Sequence, residues 1–205
     1  MNKKVYTDFN NKYRCIFIHI PKTGGLSIKN TMYENKKTGI GHRRISDYHD
    51  ADIELFNSYF KFSVVRNPWD RFVSSYFYLK SGGRNQSDKE WAKQYLEKYE
   101  NIKDFIHDLS SSEEKRKKVM NFIHFIPQYQ FICIDDQIMV DYIGRFEKLD
   151  DCFRHVNSVL NLNLKLPHDN KSGHQMYRHY YDEDTKKIVS YLYKKDIEML
   201  EYTFN

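Results

Sequence analysis

Cysteine is scarce in this chain: three in 205 residues, at Cys15, Cys133 and Cys152, far apart and in apolar surroundings. That odd, dispersed set excludes a disulfide scaffold and reads as reduced core thiols, so a cytoplasmic protein is the expectation. Long hydrophobic runs are missing too: nowhere do the roughly 18 consecutive apolar residues of a membrane span occur. Met1–Asn11 is polar where a secretory signal would need an apolar core. With four prolines and eight glycines, no stretch has the composition of a linker, and a single domain over residues 1–205 is expected. Charge of one sign is also in short supply. Thirty-three Lys+Arg stand against 28 Asp+Glu, a net charge of +5, and no long basic tract argues for a nucleic-acid groove. The densest basic run, Lys115-Arg116-Lys117-Lys118, follows Ser112-Glu113-Glu114 and reads as a solvated helix face of mixed charge. No repeat and no His/Cys/Asp metal-ligand cluster is visible, so no metal is expected.

What is present is a twofold pattern of buried strand, polar turn and helix. Cys15–Ile20 is an apolar run that ends at Pro21 and a glycine pair, and Leu26–Tyr33 then reads as a helix. Phe62–Val65 runs into Arg66-Asn67-Pro68-Trp69-Asp70, after which Phe72, Tyr76 and Leu79 have helical spacing. Further strands are expected at Gln130–Ile134 and Val140–Phe146. Helices are expected from Ser87 to about Tyr99, over Asp104–Leu109, over Cys152–Leu160 and from Glu183 to Tyr202, with Pro167–Gly173 as loop. Strands alternating with helices favour an α/β domain with a mainly parallel central sheet, whose ligands sit at the carboxyl ends of the strands.

Both polar turns carry chemistry at that edge. In Pro21-Lys22-Thr23-Gly24-Gly25-Leu26-Ser27 the glycines let backbone N–H groups approach an anion, the helix start adds a partial positive charge, and Lys22, Thr23 and Ser27 add side-chain donors. The order differs from the G-x-x-x-x-G-K-[ST] loop because the lysine precedes the glycines. The alternative is a tight turn with an incidental lysine. In the second turn, Arg66 with the hydroxyl of Ser74 suits another phosphate; the alternative for Arg66 is a salt bridge to Asp70 or Glu147. Two anion sites on one edge imply a ligand with two separated phosphate groups.

Taken together, these segments resemble the carbohydrate-type sulfotransferases, with their P-K-T-G-G-x-S turn and later V-R-N-P-x-D-R-x-x-S-x-Y segment. The likeness extends through Pro127-Gln128, Ile143–Glu147, Leu166-Pro167-His168 and Tyr191–Tyr202, and so covers most of Arg14–Tyr202. It implies a P-loop-like, three-layer α/β fold and the donor 3′-phosphoadenosine 5′-phosphosulfate, without a metal. The 5′-phosphosulfate carries over to Lys22, Thr23, Gly24, Gly25, Leu26 and Ser27, although family members often have Thr where this chain has Leu26. The 3′-phosphate carries over to Arg66 and Ser74, and a late closing loop to Lys171, Ser172 and Arg178. Lys22 is the expected source of charge at the leaving phosphate. His49 is the expected base, by the family's placement of a histidine or carboxylate in the stretch between the phosphate motifs and by a histidine's ordinary pKa; His42, Asp47 and Asp50 share that stretch. His124 is a second candidate, for substrate contact or for packing. His19 is expected to pack in the core, and Arg145 with Glu147 to form a buried pair.

The expected activity is transfer of a sulfuryl group to a hydroxyl of an acceptor, by resemblance a glycan. Residues 14–80 would carry the donor motifs, 82–127 an acceptor-binding insert in which Trp91, Arg84 and the basic run could face the glycan, and 128–205 the remaining strands and C-terminal helices. Two other readings stay open. A small-molecule phosphotransferase would need a magnesium-binding acid, for which Asp135-Asp136 is the candidate. A non-catalytic nucleotide-binding module would keep the fold without the chemistry.

Overall fold

A computed structural model describes residues 5–32, 41–166 and 175–205. The predicted loop at 167–173 therefore lies outside the described residues, and Lys171 and Ser172 with it. In chain order the helices are α1 (Asp8–Tyr13), α2 (Gly25–Met32), α3 (Ile45–Ala51), α4 (Ile53–Ser58), α5 (Pro68–Lys80), α6 (Gln86–Tyr95), α7 (Ile102–Ser111), α8 (Glu113–Met120), α9 (Tyr129–Ile132), α10 (Leu149–Val159), α11 (Glu183–Leu192) and α12 (Lys194–Met199). The strands are β1 (Cys15–Ile18), β2 (Phe60–Val65), β3 (Cys133–Ile134), β4 (Gln137–Ile138) and β5 (Tyr142–Arg145). The fold is α/β, with a three-stranded parallel sheet in the order β1-β2-β5 flanked by helices. The chain falls into two compact units, one joining the stretch up to Arg66 with that from Gln128, the other joining Asn67–Pro127 with the C-terminal stretch.

In the first unit β1 is apolar on both faces and all four of its residues are buried; β2 is buried beyond its first residue, and β5 is half-buried. Phe17 pairs with Phe62 across the parallel ladder. On that face Phe9, Ile28 and Met32 pack with Cys152, Phe153 and Val156 of α10. Burial pushes the thiols of Cys15 and Cys152 up to about 12 and about 11, so both behave as small apolar side chains. The second unit is built around an aromatic core in which Phe72 of α5 contacts Phe105, Phe125 and Tyr193.

Several sequence expectations are corrected. The Gln130–Ile134 segment is one helical turn, α9, followed by two residues of strand, and the turn buries the consecutive side chains of Phe131 and Ile132. Asp135 and Asp136, both at positive φ, form the exposed turn of the β3–β4 hairpin. The Ser87 helix starts earlier, because Asn85 caps it by accepting from the Asp88 amide at 2.8 Å. The C-terminal helix breaks at Tyr193, whose buried hydroxyl donates to the Phe125 carbonyl at 2.7 Å. Helices α1, α3 and α4 were not evident in the sequence; Asp52 ends α3 and caps α4, accepting from the amides of Glu54 and Leu55. Glu147 is exposed and Arg145 half-buried, which rules out a buried pair.

Candidate donor-binding site

Leaving β1, the chain passes through His19, Ile20 and Pro21 to a turn held in costly backbone geometry. Lys22 has φ 69° and Gly24 has φ 77°; for a non-glycine residue that left-handed conformation costs about 1–2 kcal/mol. Thr23 is fully buried and its hydroxyl donates to the Ile20 carbonyl at 3.0 Å, so this side chain ties the turn to the strand. The glycine pair is demanded by close approach. A Cβ on Gly24 would lie 2.9 Å from Phe146 Cδ2, and one on Gly25 would run into the His19 ring. Among the described residues, the amides of Thr23, Gly24, Gly25 and Leu26 have no hydrogen-bond acceptor, whereas that of Ser27 donates to the Gly24 carbonyl at 3.1 Å. Four consecutive unpaired N–H groups at a helix start form a concentrated anion-binding element.

Arg66 braces this turn. It is 3% exposed, its guanidinium donates to the Lys22 carbonyl at 3.1 Å, and it lies over the Phe146 ring with the central carbon 4.2 Å from the centroid. Its own backbone is clamped by Gln128, which is fully buried: the Arg66 amide donates to Oε1 and Nε2 donates to the Arg66 carbonyl, both at 2.9 Å. The side-chain amide of Gln128 thus acts as a piece of neighbouring strand and prolongs the β2 ladder by one residue. The structure brings Lys22–Ser27, Arg66, Phe146 and Gln128 together in the first unit. The sequence assigns no role to Phe146 or Gln128; the signals for them are the Pro127-Gln128 and Ile143–Glu147 strings of the family likeness.

The histidines of this unit separate into two environments. His42 Nδ1 donates to the His19 carbonyl at 2.8 Å and the two rings are 4.5 Å apart, which links His42 to the residue whose ring packs on Gly25. His49, on α3, donates from Nδ1 to the Asp50 carboxylate at 2.9 Å and meets the Phe56 ring edge-on. In both, the partner accepts only, so the neutral ring carries its proton on Nδ1 and presents Nε2 as a proton acceptor.

In the second unit, Asn67 caps α5 by accepting from the amides of Trp69 and Asp70, and Pro68 opens the helix where its missing N–H costs nothing. Ser74 is 7% exposed on α5 and its hydroxyl has no partner among the described residues. Arg178, in a 3-10 turn over Tyr177–Tyr180, is exposed. His124 is buried, its Nε2 donating to Asp88 Oδ1 at 3.2 Å, while its carbonyl accepts from the Ser75 hydroxyl at 2.8 Å. Asp88 also accepts from the Tyr78 hydroxyl at 2.6 Å and the Arg84 amide at 3.2 Å. Burial pushes the Asp88 carboxyl up, but these hydrogen bonds and His124 outweigh it, and its pKa lies below the ordinary value. Trp91 stacks on Phe122 with centroids 4.3 Å apart and on Tyr95 at 4.9 Å. The basic run is an ion-paired face: Lys117 binds Glu113 and Lys118 binds Glu114, each at 2.6 Å, and Lys115 binds Asp108. Among the described residues no group of three or more His, Cys, Asp or Glu side chains is placed to hold a metal, and no helix is long and apolar enough to cross a membrane.

The model of the sulfotransferase family matches residues 6–203. Carbohydrate sulfotransferase 10 of Xenopus laevis is 24% identical over 179 residues, 69% of this chain and 49% of that protein. The human protein of that name is 24% identical over 177 residues, 69% of this chain and 48% of its own length. An uncharacterized protein of Archaeoglobus fulgidus is 29% identical over 115 residues, 55% of this chain and 77% of that one. The chain thus spans about half the length of the carbohydrate sulfotransferases it matches. No solved structure matches it.

Proposed function

The chain belongs to the sulfotransferase family, and from that premise we propose that it moves a sulfuryl group from 3′-phosphoadenosine 5′-phosphosulfate to a hydroxyl of a carbohydrate. The observation that carries the reading is the run of four amides at Thr23–Leu26 without a partner among the described residues, strained into place and braced by buried Arg66. The donor supplies a sulfuryl group on a phosphate leaving group. As the acceptor oxygen bonds to sulfur, the sulfur–phosphate oxygen bond breaks, the hydroxyl proton passes to a base and adenosine 3′,5′-bisphosphate leaves.

Each residue type fits a part of that chemistry. The amides of Thr23, Gly24, Gly25 and Leu26, with Ser27, would hold the 5′-phosphate end, and the Lys22 ammonium would meet the charge that grows on the leaving oxygen. Fixed donors and positioning supply most of the rate in transfers of this type. Arg66 and Ser74 would hold the 3′-phosphate, with Lys171, Ser172 and Arg178 as further contacts. His49 is the proposed base because Asp50 fixes its tautomer, as the carboxylate does in an Asp-His pair. A second reading of the base is favoured by one contact, since His42 is the histidine bonded to the strand end that leads into the donor turn. His124, tied to Asp88 in a buried network, is proposed as a packing residue. A cytoplasmic location is part of the same proposal, resting on the dispersed, unpaired cysteines, and fractionation of cells tests it.

The test is turnover with an isotope-labelled donor and a panel of glycans in the presence of EDTA. Transfer of label to a glycan without metal is expected. Magnesium-dependent phosphoryl transfer from ATP would favour the phosphotransferase reading, and tight nucleotide binding without transfer the non-catalytic one.

A further inference from the structure

The β1–β2 ladder ends at the pair Ile18–Ser63, and from there into the donor turn side chains take up the backbone carbonyls. Ser63 Oγ donates to the Ile18 carbonyl and His42 Nδ1 to that of His19, both at 2.8 Å. Thr23 Oγ1 donates to the Ile20 carbonyl at 3.0 Å and the Arg66 guanidinium to that of Lys22 at 3.1 Å. A carbonyl and the following peptide nitrogen share one rigid plane, so these four bonds fix how the chain enters the turn. Ser63 and Arg66 reach it from β2 and its end, and Thr23 belongs to the turn itself. His42 comes from elsewhere. It lies between α2 and α3, 23 residues along the chain from its acceptor, and is half-buried.

The bond from His42 does more than hold one carbonyl. The His42 and His19 rings tilt against each other with centroids 4.5 Å apart, and the His19 ring also stacks on Phe17 at 5.8 Å. That same His19 ring fills the space over Gly25, where a Cβ would lie 2.5 Å from Nε2. Gly25 is outside the left-handed region, so space alone excludes a side chain there. His42 therefore holds both the backbone and the ring of His19, and that ring bears on the residue that supplies the third of the four amides.

We propose that His42, acting through His19, is a positioning residue of the donor turn; the proposal rests on the reading of that turn as the donor's anion site. His42 sets the place of the His19 ring, and the ring sets that of the Gly25 amide. The role needs an N–H at the Nδ1 position and none of the acid–base chemistry of imidazole, which separates it from that of a base.

The experiment measures binding of adenosine 3′,5′-bisphosphate by calorimetry, without acceptor and below the unfolding transition, with circular dichroism as the check of folding. His42→Ala should bind about three- to tenfold more weakly than the unaltered chain, the net worth of one neutral hydrogen bond. His42→Asn, whose side-chain amide can stand at the Nδ1 position, should recover most of that loss. A base acts on the acceptor's proton and leaves bisphosphate affinity alone, and a loss of stability alone does not move the affinity of the folded chain. Gly25→Ala should lose about tenfold or more, because its methyl group meets the ring. Adding His19→Ala empties that space and should restore part of the loss. An unchanged affinity in His42→Ala, an asparagine variant as weak as the alanine variant, or a double variant no better than Gly25→Ala overturns the proposal. An unaltered chain that does not bind the bisphosphate at all overturns the donor-site reading, and this proposal with it.

Discussion

Removing the Gln128 side-chain amide should both unfold and disarm the donor turn. Gln128→Ala deletes two hydrogen bonds of 2.9 Å to the backbone of Arg66, a residue only 3% exposed. It leaves an N–H and a C=O buried without partners, at about 1–3 kcal/mol each, and the range is therefore about 2–6 kcal/mol. A loss near 3 kcal/mol would lower the melting temperature of a chain this long by roughly 6–12 °C. Because Arg66 in turn holds the Lys22 carbonyl, the variant should also bind adenosine 3′,5′-bisphosphate more weakly at temperatures where it is still folded. Gln128→Glu keeps the acceptor but loses the donor and buries a charge, so it should be no more stable than the alanine variant. Thermal unfolding followed by circular dichroism, with nucleotide titrations below the transition, reads both effects. An alanine variant that melts within about 1 °C of the parent would refute the clamp, since that shift is worth well under 1 kcal/mol.

Lys22→Ala should depress kcat together with kcat/KM, as loss of a contact made mainly in the transition state does; a normal kcat with only donor KM raised would demote Lys22 to a binding residue. For the base, His49→Ala should lose on the order of one hundred to ten thousand fold in rate and the acidic limb of its pH profile, with donor binding intact. If His42→Ala does this instead, the assignment passes to His42. For the buried carboxylate, Asp88→Asn should reduce stability at neutral pH. The folded carboxyl titrates below its ordinary value of 3.8, so its contribution is present above that value and is lost as pH falls through the lower folded one. The variant's stability should accordingly fall less steeply than the parent's below about pH 4, and parallel curves in acid urea titrations would contradict the network drawn around it.

How far the sequence was legible varies with the range of the interaction. Phe62–Val65 and Cys15–Ile20 announce themselves as apolar runs cut off by turn residues, and the strands found are Phe60–Val65 and Cys15–Ile18; Asn67-Pro68 marks the start of α5 by local capping chemistry alone. The glycine pair is readable as a turn, but the reason for Gly24 lies far along the chain in Phe146, and the reason for Gly25 is the ring of nearby His19, which only the folded turn lays against it. The Gln128 clamp joins residues 62 apart in sequence and has no periodicity to betray it. Phe131 and Ile132 misled because a short apolar run serves a buried strand or a buried helical turn equally well. Thr23 was read as a donor to the ligand, yet its hydroxyl is spent on the Ile20 carbonyl, a partner that only the folded turn provides.

The central claim, a nucleotide site with two anion-binding parts, is tested most directly by ligand-induced stabilisation. Adenosine 3′,5′-bisphosphate at about one hundred times its dissociation constant should stabilise the chain by about 2.7 kcal/mol. It should raise the melting temperature more than AMP or ATP at the same concentration, and Ser74→Ala should reduce that difference while leaving the AMP shift nearly unchanged. Equal shifts with AMP and the bisphosphate in the unaltered chain would contradict the claim.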